Sequence, residues 1–125
     1  MKAEIIAVGS ELLTPDRLDT NSLYLTRRLN QLGIAVSRKT IVGDEHERLR
    51  DAFRDALGRA ELVISTGGLG PTLDDLTRDA VSDLLGRKLL LNEALLHHIE
   101  GRFRRLGRTM AENNKRQALV PEGAD

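Results

Sequence analysis

Three short apolar runs, each closed by glycine or polar residues and each followed by a helical pattern, constrain this chain more than any other feature. Residues 3–8 (AEIIAV), 34–42 (IAVSRKTIV) and 61–66 (ELVIST) read as strands. Leu25, Leu29 and Leu32 recur at helical spacing before Gly33. Leu49, Ala52, Phe53, Ala56 and Leu57 follow i, i+3, i+4, i+7 and i+8, the stripe of an amphipathic helix. Residues 76–85 give a third helix, stopped by Gly86. Strand–helix repeated three times predicts a parallel sheet covered on both faces, an α/β/α sandwich. An extended piece, Lys88 to Leu91, then leads to Asn92 as a helix N-cap, and Leu95, Ile99, Phe103 and Leu106 share one helix face. A last helical piece is expected over 109–118, and residues 120–125 read as a loop approaching another strand. Three strands leave the sheet short of partners, so the chain is expected to be a single domain, 1–125, cut from a longer one.

At 125 residues there is room for one core and little more. The formal net charge is zero, so no overall field favours nucleic acid or an anionic membrane, and anion selectivity must arise locally. The absence of cysteine excludes disulfides, thiolate catalysis and Cys-type zinc sites. The first residues form a strand-like run without a signal-peptide core, and no apolar stretch reaches the ~20 residues of a membrane span. The expected location is cytoplasmic.

In parallel α/β sheets ligands bind beyond the carboxyl ends of the strands. The loop after the third run, STGGLGPTLDD, carries three glycines, a proline and two carboxylates before helical periodicity resumes. Glycines let backbone amides approach an anion, and the following helix N-terminus adds its dipole. The segment matches neither G-x-G-x-x-G nor a P-loop, since no Lys-Ser or Lys-Thr follows. Candidate ligand-binding residues are Thr66, Gly67, Gly68, Leu69, Gly70, Thr72 and Thr77, joined from the first loop by Ser10 and Asn21. Asp75, Asp44 and Asp74 are the candidate catalytic carboxylates. Asp75, Asp44 and Glu11 are the candidates for a divalent cation bridging to ligand oxygens. The competing reading is helix capping and dipole compensation by Asp19, Asp44, Asp74 and Asp75. Asp79 and Asp83 fall on a solvated helix face, and the Arg102, Arg104, Arg105 and Arg108 cluster on a surface or a partner contact.

Five ordered segments, GSELL (9–13), DTNS (19–22), VGDE (42–45), TGGLGPTLDDLT (66–77) and NNKRQALVP (113–121), carry a family resemblance. Together they resemble the N-terminal domain of CinA-family proteins, which is similar to the molybdopterin-binding fold of MogA, MoaB, gephyrin and MoeA. The resemblance implies a MogA-like three-layer domain binding a phosphorylated small molecule, either molybdopterin or an ADP-ribose-like nucleotide. It implies metal-dependent hydrolysis of ADP-ribose to AMP and ribose 5-phosphate, with Mg²⁺ or a transition metal such as Co²⁺, and K⁺ as a further ion. The alternative is a non-catalytic pterin- or nucleotide-binding module. A homo-oligomer, dimer or higher, is expected. In this family the domain continues into another strand and glycine-rich loop, and many members add a nicotinamide mononucleotide deamidase domain. Neither falls within these residues. Pro15 stands where the family usually has glycine, which removes one amide donor from the first loop.

Overall fold

The computed structural model describes residues 1–125. Its central strand, β1 (Lys2–Val8), is flanked on one edge by β2 (Ala35–Val42) and on the other by β3 (Leu62–Thr66), both parallel. The register pairs Lys2 with Ala35 through Val8 with Val42, and Ala3 with Leu62 through Ala7 with Thr66. All three strands therefore end together, and the loops that follow them share one edge of the sheet.

Ala3 to Val8 are all buried, as expected of a middle strand whose side chains enter a core on both faces. Ile6 and Val8 pack with Val42 against Leu49, Phe53 and Ala56 of α2 (His46–Leu57) and Ala80 of α3 (Thr77–Leu85). On the opposite face, Ala3 and Ile5 pack against Leu29 of α1 (Thr20–Gln31). The result is the expected three-layer arrangement. Asp19 caps α1 by accepting from the Ser22 amide at 3.0 Å, and Asn92 caps α4 (Glu93–Arg105) through the Leu95 amide at 3.0 Å.

Three expectations are corrected. Residues 109–118 do not form an α-helix: Glu112–Ala118 is a 3₁₀ segment, with the Asn114 side chain accepting from the Ala111 amide at 3.1 Å. The segment after it is itself a strand, because β5 (Leu119–Pro121) pairs antiparallel with β4 (Leu89–Leu91) in a second, two-stranded sheet. Asp79 and Asp83 are not merely solvated, since Arg116 holds Asp79 at 3.2 Å and Arg50 holds Asp83 at 3.2 Å. No helix is long and apolar enough to cross a membrane.

One charge lies inside the core region. Glu4, 3% exposed, receives Arg59 through two bonds of 2.8 and 2.9 Å. The Arg59 hydrogen bond outweighs burial and holds the Glu4 carboxyl below its ordinary value near 4.5. A carboxyl depressed in the folded state stabilises fully above its unfolded value, and that contribution disappears as pH falls through the lower folded value. Urea midpoints followed from about pH 6 to about pH 3 are expected to drop for the native chain and to change less for Glu4→Gln. Leu49 is fully buried, so Leu49→Ala is expected to cost about 2–5 kcal/mol in the same measurement.

Candidate functional site

The third strand's loop is held from beneath by the first two residues of α3. The Thr77 hydroxyl donates to the Gly67 carbonyl at 2.9 Å, and the Thr77 amide donates to the Gly68 carbonyl at 3.1 Å. Arg78 donates to the Leu69 and Gly70 carbonyls at 2.6 and 2.7 Å. Four successive carbonyls thus point toward the protein. In a trans peptide the C=O and the next N–H point opposite ways. The Gly68, Leu69 and Gly70 amides must then face away from α3. The amides of Gly67, Gly68 and Leu69 donate to no protein acceptor. Pro71, whose nitrogen carries no hydrogen, occupies the one position in this run where a donor is not presented.

This path needs glycine at two places. Gly67 (φ +85°) and Gly68 (φ +66°) lie in the left-handed region, which side-chain-bearing residues rarely adopt. A Cβ on Gly67 would strike the carbonyl oxygen of Val8, and one on Gly68 would strike the Thr77 hydroxyl. The loop is therefore pressed directly onto the end of β1.

Asp75 lies before α3, which starts at Thr77, so it is not the first-turn residue that the competing dipole-compensation reading requires. Its carboxylate instead closes the turn before the helix, accepting from the Thr72 amide at 2.9 Å and the Thr72 hydroxyl at 2.8 Å. Burial pushes its pKa up. The Thr72 hydroxyl and amide, the Gly70 amide and the Arg78 charge together pull it below the ordinary value. Asp75 is thus an ionised, anchored group. Asp74 beside it is exposed and makes no hydrogen bond to the protein.

Asp44 locks the first and second loops together. It accepts from the Ser10 amide at 3.2 Å, while the Ser10 hydroxyl accepts from the Asp44 amide at 2.9 Å. Glu11, Asn21, Thr66 and Gly67 come together around a cavity of about 160 Å³ at the strand ends, floored by Val8. Thr72 lies with Asp75 at the outer part of the loop. Glu11, Asp44 and Asp75 do not converge: no group of three or more Asp, Glu or His side chains is arranged to hold a metal ion. The reason is local, since the Asp44 and Asp75 carboxylates are spent on loop amides. These residues do not by themselves fit a divalent-cation site.

Two cations escaped the sequence reading. Arg17 lines the same cavity beside Asn21 and Gly67 and takes no acidic partner. It gave no periodic or motif signal in its loop. Arg78 did carry a signal, because a cation in a first helical turn opposes the macrodipole and so needs another reason to be there. Gly67→Ala and Gly68→Ala are each expected to lose about 1–3 kcal/mol from backbone conformation alone, and more from the clashes. Gly86→Ala, with φ +62° but open space around its Cβ, should show the backbone cost only, and urea unfolding of the three variants checks this.

Comparison with known proteins matches this architecture. Residues 4–121 match the MoCF_biosynth family, described as a probable molybdopterin binding domain. A CinA-like protein of Solibacter usitatus is 58% identical over 124 residues, 99% of this chain and 30% of that protein. The crystal structure of a CinA protein of unknown function from Thermoplasma acidophilum superposes with a TM-score of 0.88 at 31% identity, over 99% of this chain and 72% of that one. The molybdopterin biosynthesis enzyme MoaB from Thermus thermophilus shares the fold, with a TM-score of 0.64 at 19% identity over 96% of this chain and 78% of that one. The chain belongs to the molybdopterin-binding-domain family, in its CinA group. It spans about 30% of the length of the curated relatives it matches.

Proposed function

We propose that this CinA-group domain binds a phosphorylated small molecule, of pterin or nucleotide type, with its phosphate at the Gly68 and Leu69 amides. The observation that carries this reading is the run of inward carbonyls from Gly67 to Gly70, which leaves the Gly68 and Leu69 amides free on the other side. Successive outward amides at a strand end form an anion-binding concavity without any side-chain charge. The cavity bounded by Glu11, Arg17, Asn21 and Thr66 adjoins Gly67 and offers a cation, a carboxylate and neutral hydrogen-bonding groups to the rest of the ligand.

A second reading, hydrolysis of an ADP-ribose-like pyrophosphate bond, is supported by the ionised, anchored carboxylate of Asp75 beside the loop. Water attack on one phosphorus would release AMP and ribose 5-phosphate. A requirement for Mg²⁺, Co²⁺ or K⁺ belongs to this reading as a quantity to measure, because the protein carboxylates do not assemble a cation site alone. Self-association is part of the same proposal, supported by exposed apolar side chains such as Leu18 and Leu73 around the strand-end loops.

The test is calorimetric titration with ADP-ribose and AMP, alongside chromatography of the products with and without added metal. Saturable binding should raise the melting temperature, by about 2.7 kcal/mol of stabilisation at one hundred times the dissociation constant, and Gly68→Ala should abolish it. Binding without products selects the module over the hydrolase. If products form, Asp75→Asn should slow their release by about 10²-fold or more while ADP-ribose still binds.

A further inference from the structure

We propose that Arg78 sets the charge preference of the glycine loop, making it a cradle for a phosphate dianion in preference to a monoanion. This rests on the anion-binding reading above and adds a residue and a ligand charge to it. Arg78 is only 9% exposed, yet no carboxylate lies within ion-pair distance of its guanidinium. The neighbouring acids are committed elsewhere. Asp79 pairs with Arg116 at 3.2 Å, and Asp75 is spent on Thr72. The charged groups that face Arg78 are therefore Asp75 before α3, Asp79 on α3, Arg116 from the 3₁₀ segment and Asp125, which lines the same cavity, none within ion-pair distance of it.

A buried guanidinium without an anion is costly, so the fold retains here a positive charge that it has not neutralised. Both of its hydrogen bonds go to carbonyls of the loop. Charge-assisted bonds of this kind polarise the peptide units that accept them. The Leu69–Gly70 peptide is polarised directly, which strengthens the Gly70 amide's hold on Asp75, while the guanidinium charge itself acts on the ligand side across the loop. An incoming phosphate then completes the missing ion balance through the loop, and a second negative charge on that phosphate strengthens the effect. A positive group placed on the far side of the amides raises selectivity for charge without occupying the ligand's space. Arg78 is thus a positioning residue that also carries the site's electrostatic bias.

AMP is the probe, since a phosphate monoester passes from monoanion to dianion near pH 6. Its affinity is measured by calorimetry on both sides of that ionisation for the native chain, Arg78→Lys and Arg78→Gln. The native chain should bind the dianion roughly tenfold more tightly than the monoanion, the scale of one charge-assisted interaction. Arg78→Lys keeps the charge and should keep the preference, even with weaker overall binding from the lost two-pronged anchor. Arg78→Gln keeps a donor but no charge and should bind both forms alike. If Gln lowers the affinity for both forms by one common factor, Arg78 is only a structural prop and the proposal fails. If Arg78→Gln does not fold, Arg78→Lys decides, since loss of the preference there overturns the charge argument. A native chain that does not bind AMP or ADP-ribose at all removes the anion-binding reading itself, and this inference with it.

Discussion

Everything at the candidate site depends on the close approach of the glycine loop to the end of β1. Val8 is the last residue of the only strand with a neighbour on each edge, and its carbonyl occupies the space where a Gly67 side chain would begin. The buried strand fixes the height of the loop, and the loop fixes where α3 starts. Thr77 and Arg78 then hold four carbonyls from below. The amide surface is a consequence of this stack rather than a separate feature. Moving any layer by one residue would turn the peptide planes over and present acceptors where donors now lie.

On the proposed reading, the same stacking is what lets a chain with zero net charge select an anion. Several of its cations pair with neighbouring acids, as in Arg48–Glu45, Arg54–Asp51 and Lys115–Glu112. Such exposed pairs contribute little to stability. Among the cations without an acidic partner, Arg17 and Arg78 are the ones placed at the strand-end loops of the site. They place positive charge beside the carboxylates of Glu11 and Asp75 at one edge of the sheet, while the net charge stays zero.

Much of this was legible in the residue order. β1, β2 and β3 followed from β-branched runs, and the spacing of Leu49, Phe53 and Ala56 located α2 because period 3.6 is hard to mimic. The Asp19 and Asn92 caps were readable for the same local reason. Other features were not. β4 and β5 have three residues each and are joined through all of α4, so their pairing rests on contacts no local pattern encodes. Asp75 looked like a first-turn residue because Asp75, Asp79 and Asp83 keep helical spacing. The turn closed by Thr72 delays the helix to Thr77. The carboxylates of Glu11, Asp44 and Asp75 share an edge of the sheet, but sharing an edge is not convergence. Two of them satisfy loop amides that would otherwise be unpaired.

That last point bears on what chemistry such a site can perform. A carboxylate that accepts an amide and a hydroxyl at 2.9 and 2.8 Å has surrendered part of its capacity as a ligand or base. It retains its negative charge, because those same bonds favour ionisation. Asp75 therefore repels an approaching phosphate unless the loop amides and Arg78 outweigh it. The three features form one balanced set: an anchored carboxylate, a buried guanidinium and the open amides between them. Removing the guanidinium leaves the carboxylate's repulsion unopposed, so Arg78 and Asp75 are expected to be coupled. Asp75→Asn should then partly restore the phosphate affinity lost in Arg78→Gln, and a double-mutant cycle measures that coupling directly.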